Sequence, residues 1–136
     1  MITVYIDGAS AGDPGWSGAG IFIKKNNEVE RYSLPLGVMN NHKAEFTACL
    51  KALKHCIDNG YEIVSFRSDS QAVVHAIEKE YVRNPEYKPL LEEILQLTKR
   101  INLFFIKWVP SKENKAADEL ARKAIHLNEG MHDKIE

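Results

Sequence analysis

The chain has 136 residues and a mass of 15.4 kDa, with 44% hydrophobic, 27% charged and 9% aromatic residues and a formal net charge of −1. That is the size and make-up of one globular domain able to bury its own core. It excludes a histone-like polycation and a bare polybasic membrane anchor, and no apolar run approaches the ~20 residues of a spanning helix. The charge balance also speaks against a protein that holds nucleic acid by a broad basic patch.

The start, Met1-Ile-Thr-Val-Tyr5, has no basic n-region and no cleavage site, so no secretory signal and a cytoplasmic location are expected. Cys49 and Cys56 are the two cysteines. On one helix they stand about 10 Å apart, too far for a disulfide, and read as small buried apolar residues in a reducing compartment.

Residues 2–7 alternate branched apolar residues and predict a strand. Residues 8–20 carry Gly8, Gly12, Pro14, Gly15, Gly18 and Gly20 and read as a loop. A second strand follows over 21–25, then a turn at Asn26-Asn27 and a third strand over 28–36. Phe46, Cys49, Leu50, Leu53, Cys56 and Ile57 form one helical stripe, which Asn59-Gly60 ends. Residues 62–67 predict a fourth strand, and Ser68-Asp69-Ser70 offers caps for a helix over about 70–80. After Asn84-Pro85, another amphipathic helix runs from Pro89 to about Arg100. Leu103 to Val109 is a fifth strand, apolar at nearly every position and so expected to be buried on both faces. The last helix spans 114–127. From Asn128 the chain turns polar, so the domain is expected over 1–127 and a frayed tail over 128–136. An antiparallel meander followed by strand–helix alternation makes an α/β protein, one mixed sheet flanked by helices.

Four acids stand apart from the solvated helix faces. Asp7 and Asp69 each end an apolar strand, Glu45 lies in the first turn of its helix, and Asp118 lies early in the last helix. Strand C-terminal ends are where open α/β sheets place their sites. If the first and fourth strands are parallel neighbours, Asp7 and Asp69 meet, within reach of Glu45 and Asp118. Four such carboxylates cannot all stay ionised unaided. Hard divalent cations, Mg²⁺ or Mn²⁺, relieve them, and shared carboxylates hold two ions roughly 3.5–4 Å apart. Each acid also has a plainer role alone: Asp69 as an N-cap, Glu45 facing a helix dipole, Asp118 on the surface.

Competing motifs are incomplete. Asp7-Gly8 lacks the second Asp of a phosphatase nucleophile motif, since that position is Tyr5. No Gly-Lys-Ser/Thr follows the glycine segment, as a phosphate-cradling loop requires.

Four segments resemble ribonuclease H type I. Tyr5-Ile-Asp7-Gly-Ala-Ser-Ala-Gly12-Asp13-Pro14-Gly15 is similar to its opening strand and glycine-rich loop. Asn40-Asn41-His42-Lys43-Ala44-Glu45, Ser68-Asp69-Ser70-Gln71 and Asn114-Lys-Ala-Ala-Asp118 resemble its later motifs, in the family's order. The resemblance covers about residues 2–127 and is greatest to short bacterial members of the Bacillus type. It implies a five-stranded mixed sheet with the first three strands antiparallel. It also implies metal-dependent cleavage of the RNA strand of RNA–DNA hybrids. By resemblance Asp7, Glu45, Asp69 and Asp118 are the metal-binding and catalytic carboxylates. Ser10, Asn41 and Gln71 fall on positions that contact the hybrid in its minor groove, where 2′-hydroxyls mark RNA. A monomer without membrane attachment is expected.

Three departures bear on this. No histidine lies between His75 and His126, so the short loop before Asp118 lacks the mobile histidine of larger bacterial members; Lys112 and Glu113 are the candidates to replace it. Asp13 stands where the family often has Asn, and would oppose a phosphate backbone. His42 replaces a second hybrid-contacting Asn. A ribonuclease H-like binding protein with little catalysis is the alternative these departures leave open. Residues 79–123 carry 10 Lys/Arg against 7 Asp/Glu, and two divalent ions would move the net charge of −1 to about +3.

Overall fold

The computed structural model describes residues 1–131. Strands β1 (Ile2–Ser10), β2 (Gly15–Lys25) and β3 (Glu28–Met39) form the antiparallel meander. β1 then pairs in parallel with β4 (Ile63–Ser68), and β4 in parallel with β5 (Leu103–Trp108). The five-stranded sheet has the order β3-β2-β1-β4-β5. Helices α1 (Asn41–Asp58), α2 (Gln71–Lys79), α3 (Lys88–Thr98) and α4 (Lys115–Ile125) connect or follow the strands, as the sequence pattern predicts for an α/β mixed sheet.

The helix ends follow local chemistry. Asn40 caps α1 by accepting from the Lys43 backbone N–H at 2.8 Å. Beyond Asn59, Gly60 takes φ +68°, a conformation that costs glycine little. Ser70 caps α2 by accepting from the Val73 N–H at 3.2 Å. The α1 stripe of Phe46, Cys49, Leu50 and Leu53 packs on Val4, Ile6, Ile21, Ile23, Val64 and Phe66, and α2 and α3 complete this core. Cys49 and Cys56 are free and buried within it, and burial pushes the Cys56 thiol up to about 12.

Helix α4 covers the opposite face. There the glycine segment is largely strand, not the expected loop: β1 continues to Ser10 and β2 begins at Gly15. The glycines reflect close approach. A Cβ at Gly20 would collide with the Ala117 carbonyl oxygen, and one at Gly18 would lie 2.5 Å from the Ala124 Cβ.

Two further expectations are corrected. β5 is an edge strand, not one buried on both faces: Leu103, Phe105 and Trp108 are 47%, 48% and 41% exposed. α4 lies over β1–β3 and leaves the outward side of β4 and β5 uncovered; a short apolar run does not reveal which faces are covered. Asn128 is packed rather than frayed. It is buried, donates to the Ser17 and Ile125 carbonyls at 2.8 Å each, and accepts from the Gly37 N–H at 2.8 Å. Residues 132–136 of the expected tail lie outside the described residues.

Far from the C-terminal strand ends, Glu30 joins the hairpin to α1. Its carboxylate accepts from Tyr32 at 3.0 Å and Tyr61 at 2.9 Å, and lies 2.5 Å from Lys25 Nζ and 3.0 Å from His55 Nε2. The Lys25 ammonium, aided by these hydrogen bonds, holds the Glu30 carboxyl down at about 2.

Candidate active site

The parallel pairing of β1 with β4 sets the site. Ile6 lies opposite Ser68, the last pair of the parallel register, so Asp7, which lies inside β1 rather than at its expected end, emerges beside Asp69, just past β4. Gly8 lets α1 approach, because a Cβ there would collide with the Ala44 backbone. That contact brings Glu45 over the strand ends. One carboxylate oxygen from each of Asp7, Glu45 and Asp69 lies within 4.8 Å of the others. Asp118, in the first turn of α4, stands outside that triple but shares a hydrogen bond with Asp7. Its Oδ2 also accepts from Arg122 Nε at 3.0 Å, one helical turn on.

Burial, then the neighbouring charges of Asp69 and Glu45, raise the Asp7 carboxyl to about 9. Burial raises Glu45 to about 7, with a hydrogen bond from Ser70 opposing the shift and Asp69 adding to it. Without a cation the cluster therefore keeps a proton at neutral pH. An all-oxygen, crowded, partly buried donor set of this kind fits a hard divalent cation.

Supporting groups fix the carboxylates. The Trp108 indole N–H donates to the Asp69 carbonyl at 3.1 Å. The Asn114 side-chain amide, buried just before α4, donates to the Ile6 carbonyl at 2.9 Å. Ser70, the cap of α2, reaches Glu45.

A cleft of about 670 Å³ opens over the cluster, lined by all four acids together with Ser10 and Asn41. Ser10 is engaged internally, 2.7 Å from the Ser17 hydroxyl and donating to the Met39 carbonyl at 3.1 Å. Asp13, His42 and Gln71 are exposed and lie beyond the lining; the His42 ring instead sits 6.4 Å from the Tyr87 ring.

Sequence reasoning overlooked Arg122 and His126, which both line the cleft. The signal was present. They follow Asp118 by four and eight residues, the spacing that stacks side chains on one helix face. The loop before Asp118 has no histidine, yet the cleft contains an imidazole, delivered from the far end of α4.

A mixed sheet with carboxylates clustered where the parallel pairing of two adjacent strands ends defines an α/β protein with an acidic, metal-type site. The reverse transcriptase-like family profile matches residues 5–124. The chain is 43% identical over 127 residues to a putative hydrolase, EbsB, of Enterococcus faecalis, covering 92% of this chain and 94% of that protein. It is 31% identical over 140 residues to a ribonuclease H of Chlorobium luteolum, covering 91% and 94%. Among solved structures, LC11-RNase H1 in complex with an RNA/DNA hybrid superposes with a TM-score of 0.85 at 27% identity, covering 93% of this chain and 98% of that one. The chain belongs to the ribonuclease H family.

Proposed function

We propose that this chain hydrolyses the RNA strand of RNA–DNA hybrids, using two Mg²⁺ or Mn²⁺ ions held by Asp7, Glu45, Asp69 and Asp118. The observation that carries the reading is the convergence of Asp7, Glu45 and Asp69 within 4.8 Å from β1, α1 and the turn after β4. A scaffold would pay a desolvation cost for that grouping with nothing in return. When bound, such cations neutralise the acids, supply an activated water and stabilise the leaving oxygen of a phosphodiester.

The chain's own residues do the rest. Asp7, buried beside Glu45, Asp69 and Asp118, would hold the cations as its deprotonated carboxylate. Ser70 holds Glu45, and Trp108 holds the backbone at Asp69. Ser10 and Asn41, on the cleft lining, would meet the minor groove of a hybrid, where the 2′-hydroxyls lie. His42 follows Asn41 in α1 and Gln71 opens α2 two residues after Asp69, so both would meet the hybrid beyond the lining, and Asp13, on the β1–β2 turn, would weaken attraction to phosphate. Arg122 adds a cation beside Asp118 on the cleft lining and would hold a non-bridging phosphate oxygen. We read the chain as a monomeric cytoplasmic enzyme, supported by one self-contained core and two buried reduced thiols. No helix among the described residues is long and apolar enough to cross a membrane.

The test is cleavage of an end-labelled hybrid with each metal, wild type beside Asp69→Asn, with calorimetry of metal binding alongside. The variant is expected to lose more than ~100-fold in rate, beyond the ~10–100-fold typical of changes behind a ligand. Equal cleavage by both proteins would refute the assignment.

A further inference from the structure

We propose that the uncovered half of the outward sheet face binds single-stranded nucleic acid. Val4, Ile6, Ile21, Ile23, Val64 and Phe66 point into the core, so the residues between them point outward. On that outward side α4 packs over Gly18, Gly20 and Ser33, whose hydroxyl donates to the Leu120 carbonyl at 2.7 Å. Beyond them Ile63, Leu103 and Phe105 are 39%, 47% and 48% exposed, Lys24, Arg31 and Lys107 are exposed, and Tyr5, Phe22 and Arg67 are half-buried.

The strand register composes this face into two rows. Arg31, Phe22, Tyr5, Arg67 and Lys107 are successive cross-strand partners from β3 to β5. The neighbouring row runs Val29, Lys24, Thr3, Ser65 and Phe105. Neither row contains an acid, and among the described residues Lys24, Arg31, Arg67 and Lys107 make no ion pair. Two of the cations rest on rings instead. Lys24 Nζ lies 5.5 Å from the Tyr5 centroid, and Arg31 Cζ lies 5.2 Å from that of Phe22. The Tyr5 and Phe22 rings themselves are 6.0 Å apart.

This combination selects the occupant. Unpaired cations call for a polyanion, and aromatic faces among them call for planar groups that stack. A second copy of the chain would set like charges against each other. A duplex keeps its bases stacked and cannot offer them to the rings, whereas a single strand splays its bases. The face also adjoins the carboxylate cleft. The turn at Ser111–Glu113 separates the two, with Ser111 on the cleft while Lys112 and Lys115 border a hollow floored by Tyr5 and Phe22. Glu113 is the one acid on that hollow. A strand leaving a hybrid at the cleft would cross this turn onto the cationic rows. This extends the proposed hydrolysis without depending on it, because strand binding needs none of the four carboxylates.

The test is fluorescence anisotropy with labelled 20-mer oligo-dT and oligo-rU in EDTA over a salt series. Asp69→Asn is expected to bind like wild type. The double variant Arg31→Glu/Lys107→Glu is expected to bind at least ~10-fold more weakly, with a salt slope shallower by about 1.4, the value for two lost phosphate contacts on a single strand. Phe105→Ser should weaken binding several-fold with the salt slope unchanged. Melting temperature and cleavage of a blunt hybrid should stay at wild-type values in the double variant. Unchanged oligonucleotide binding by that variant would overturn the proposal. So would wild-type protein that ignores oligonucleotides but binds polyglutamate or phosphatidylserine vesicles through the same cations. Loss of hybrid cleavage alone would bear on the hydrolytic reading and leave the strand-binding result standing.

Discussion

The Asn114 amide donates to the Ile6 carbonyl at 2.9 Å, joining the residue before α4 to the residue before Asp7 across 108 positions of sequence. This bond fixes where the helix bearing Asp118 meets the strand bearing Asp7. The contact also sets the amide orientation, since the opposite one would face two oxygens together. Asn114→Ala should cost about 1–3 kcal/mol, the cost of leaving a buried carbonyl unpaired. It should also slow hybrid cleavage ~10–100-fold, as changes behind metal ligands do. Urea denaturation and steady-state rates measure both, and a stability loss with full activity would show that Asn114 holds the fold alone.

Asp7 links the site to stability. Its folded-state pKa is raised to about 9 from 3.8, and that of Glu45 to about 7 from 4.5. A raised acid favours folding fully below its unfolded value, and that contribution is lost as pH rises through the folded value. Metal-free protein should therefore lose stability between about pH 4 and pH 9 from these groups. Asp7→Asn should raise the metal-free melting temperature at pH 8 by several degrees while abolishing cleavage. Mg²⁺ or Mn²⁺ should raise that of wild type and not of the variant, which thermal melts with and without EDTA would check.

Arg122 should act on substrate rather than on folding. Its exposed pair with Asp118 is worth at most ~1 kcal/mol, so Arg122→Ala should melt within a few degrees of wild type. Its KM for hybrid should rise several-fold, and the salt slope of binding should fall by about 1 for one lost phosphate contact. An unchanged KM with a reduced kcat would assign Arg122 to holding Asp118 instead.

Glu30 supplies the acid sensitivity of the far end. Its pKa is depressed from 4.5 to about 2, so its stabilising effect is full above the unfolded value and lost as pH falls toward 2. Glu30→Gln should cost on the order of 1 kcal/mol at neutral pH, through weaker hydrogen bonds. The difference from wild type should shrink between pH 4.5 and pH 2. A constant difference across that range would rule out the charge as its origin.

The sequence by itself determined most of the elements and all four acids, because those features are local. The stripe from Phe46 to Ile57, the cap residues at Ser68-Asp69-Ser70, and the acids beside strand segments are read within a few residues of themselves. Tertiary structure decided what depends on neighbours far along the chain. The glycines at 18 and 20 looked like a loop because the α4 backbone they accommodate lies about a hundred residues away. β5 looked buried because composition does not say which face a helix will cover. Asn128 looked like a tail because its partners, Ser17 and Gly37, belong to another part of the chain. The site followed the same division. Asp7 and Asp69 were visible as candidates, but only the parallel pairing of β1 with β4 made them neighbours. Only the folded α4 turned Arg122 and His126 toward the cleft, and only the strand register gathered Lys24, Arg31, Arg67 and Lys107 on one face with no ion pair among the described residues.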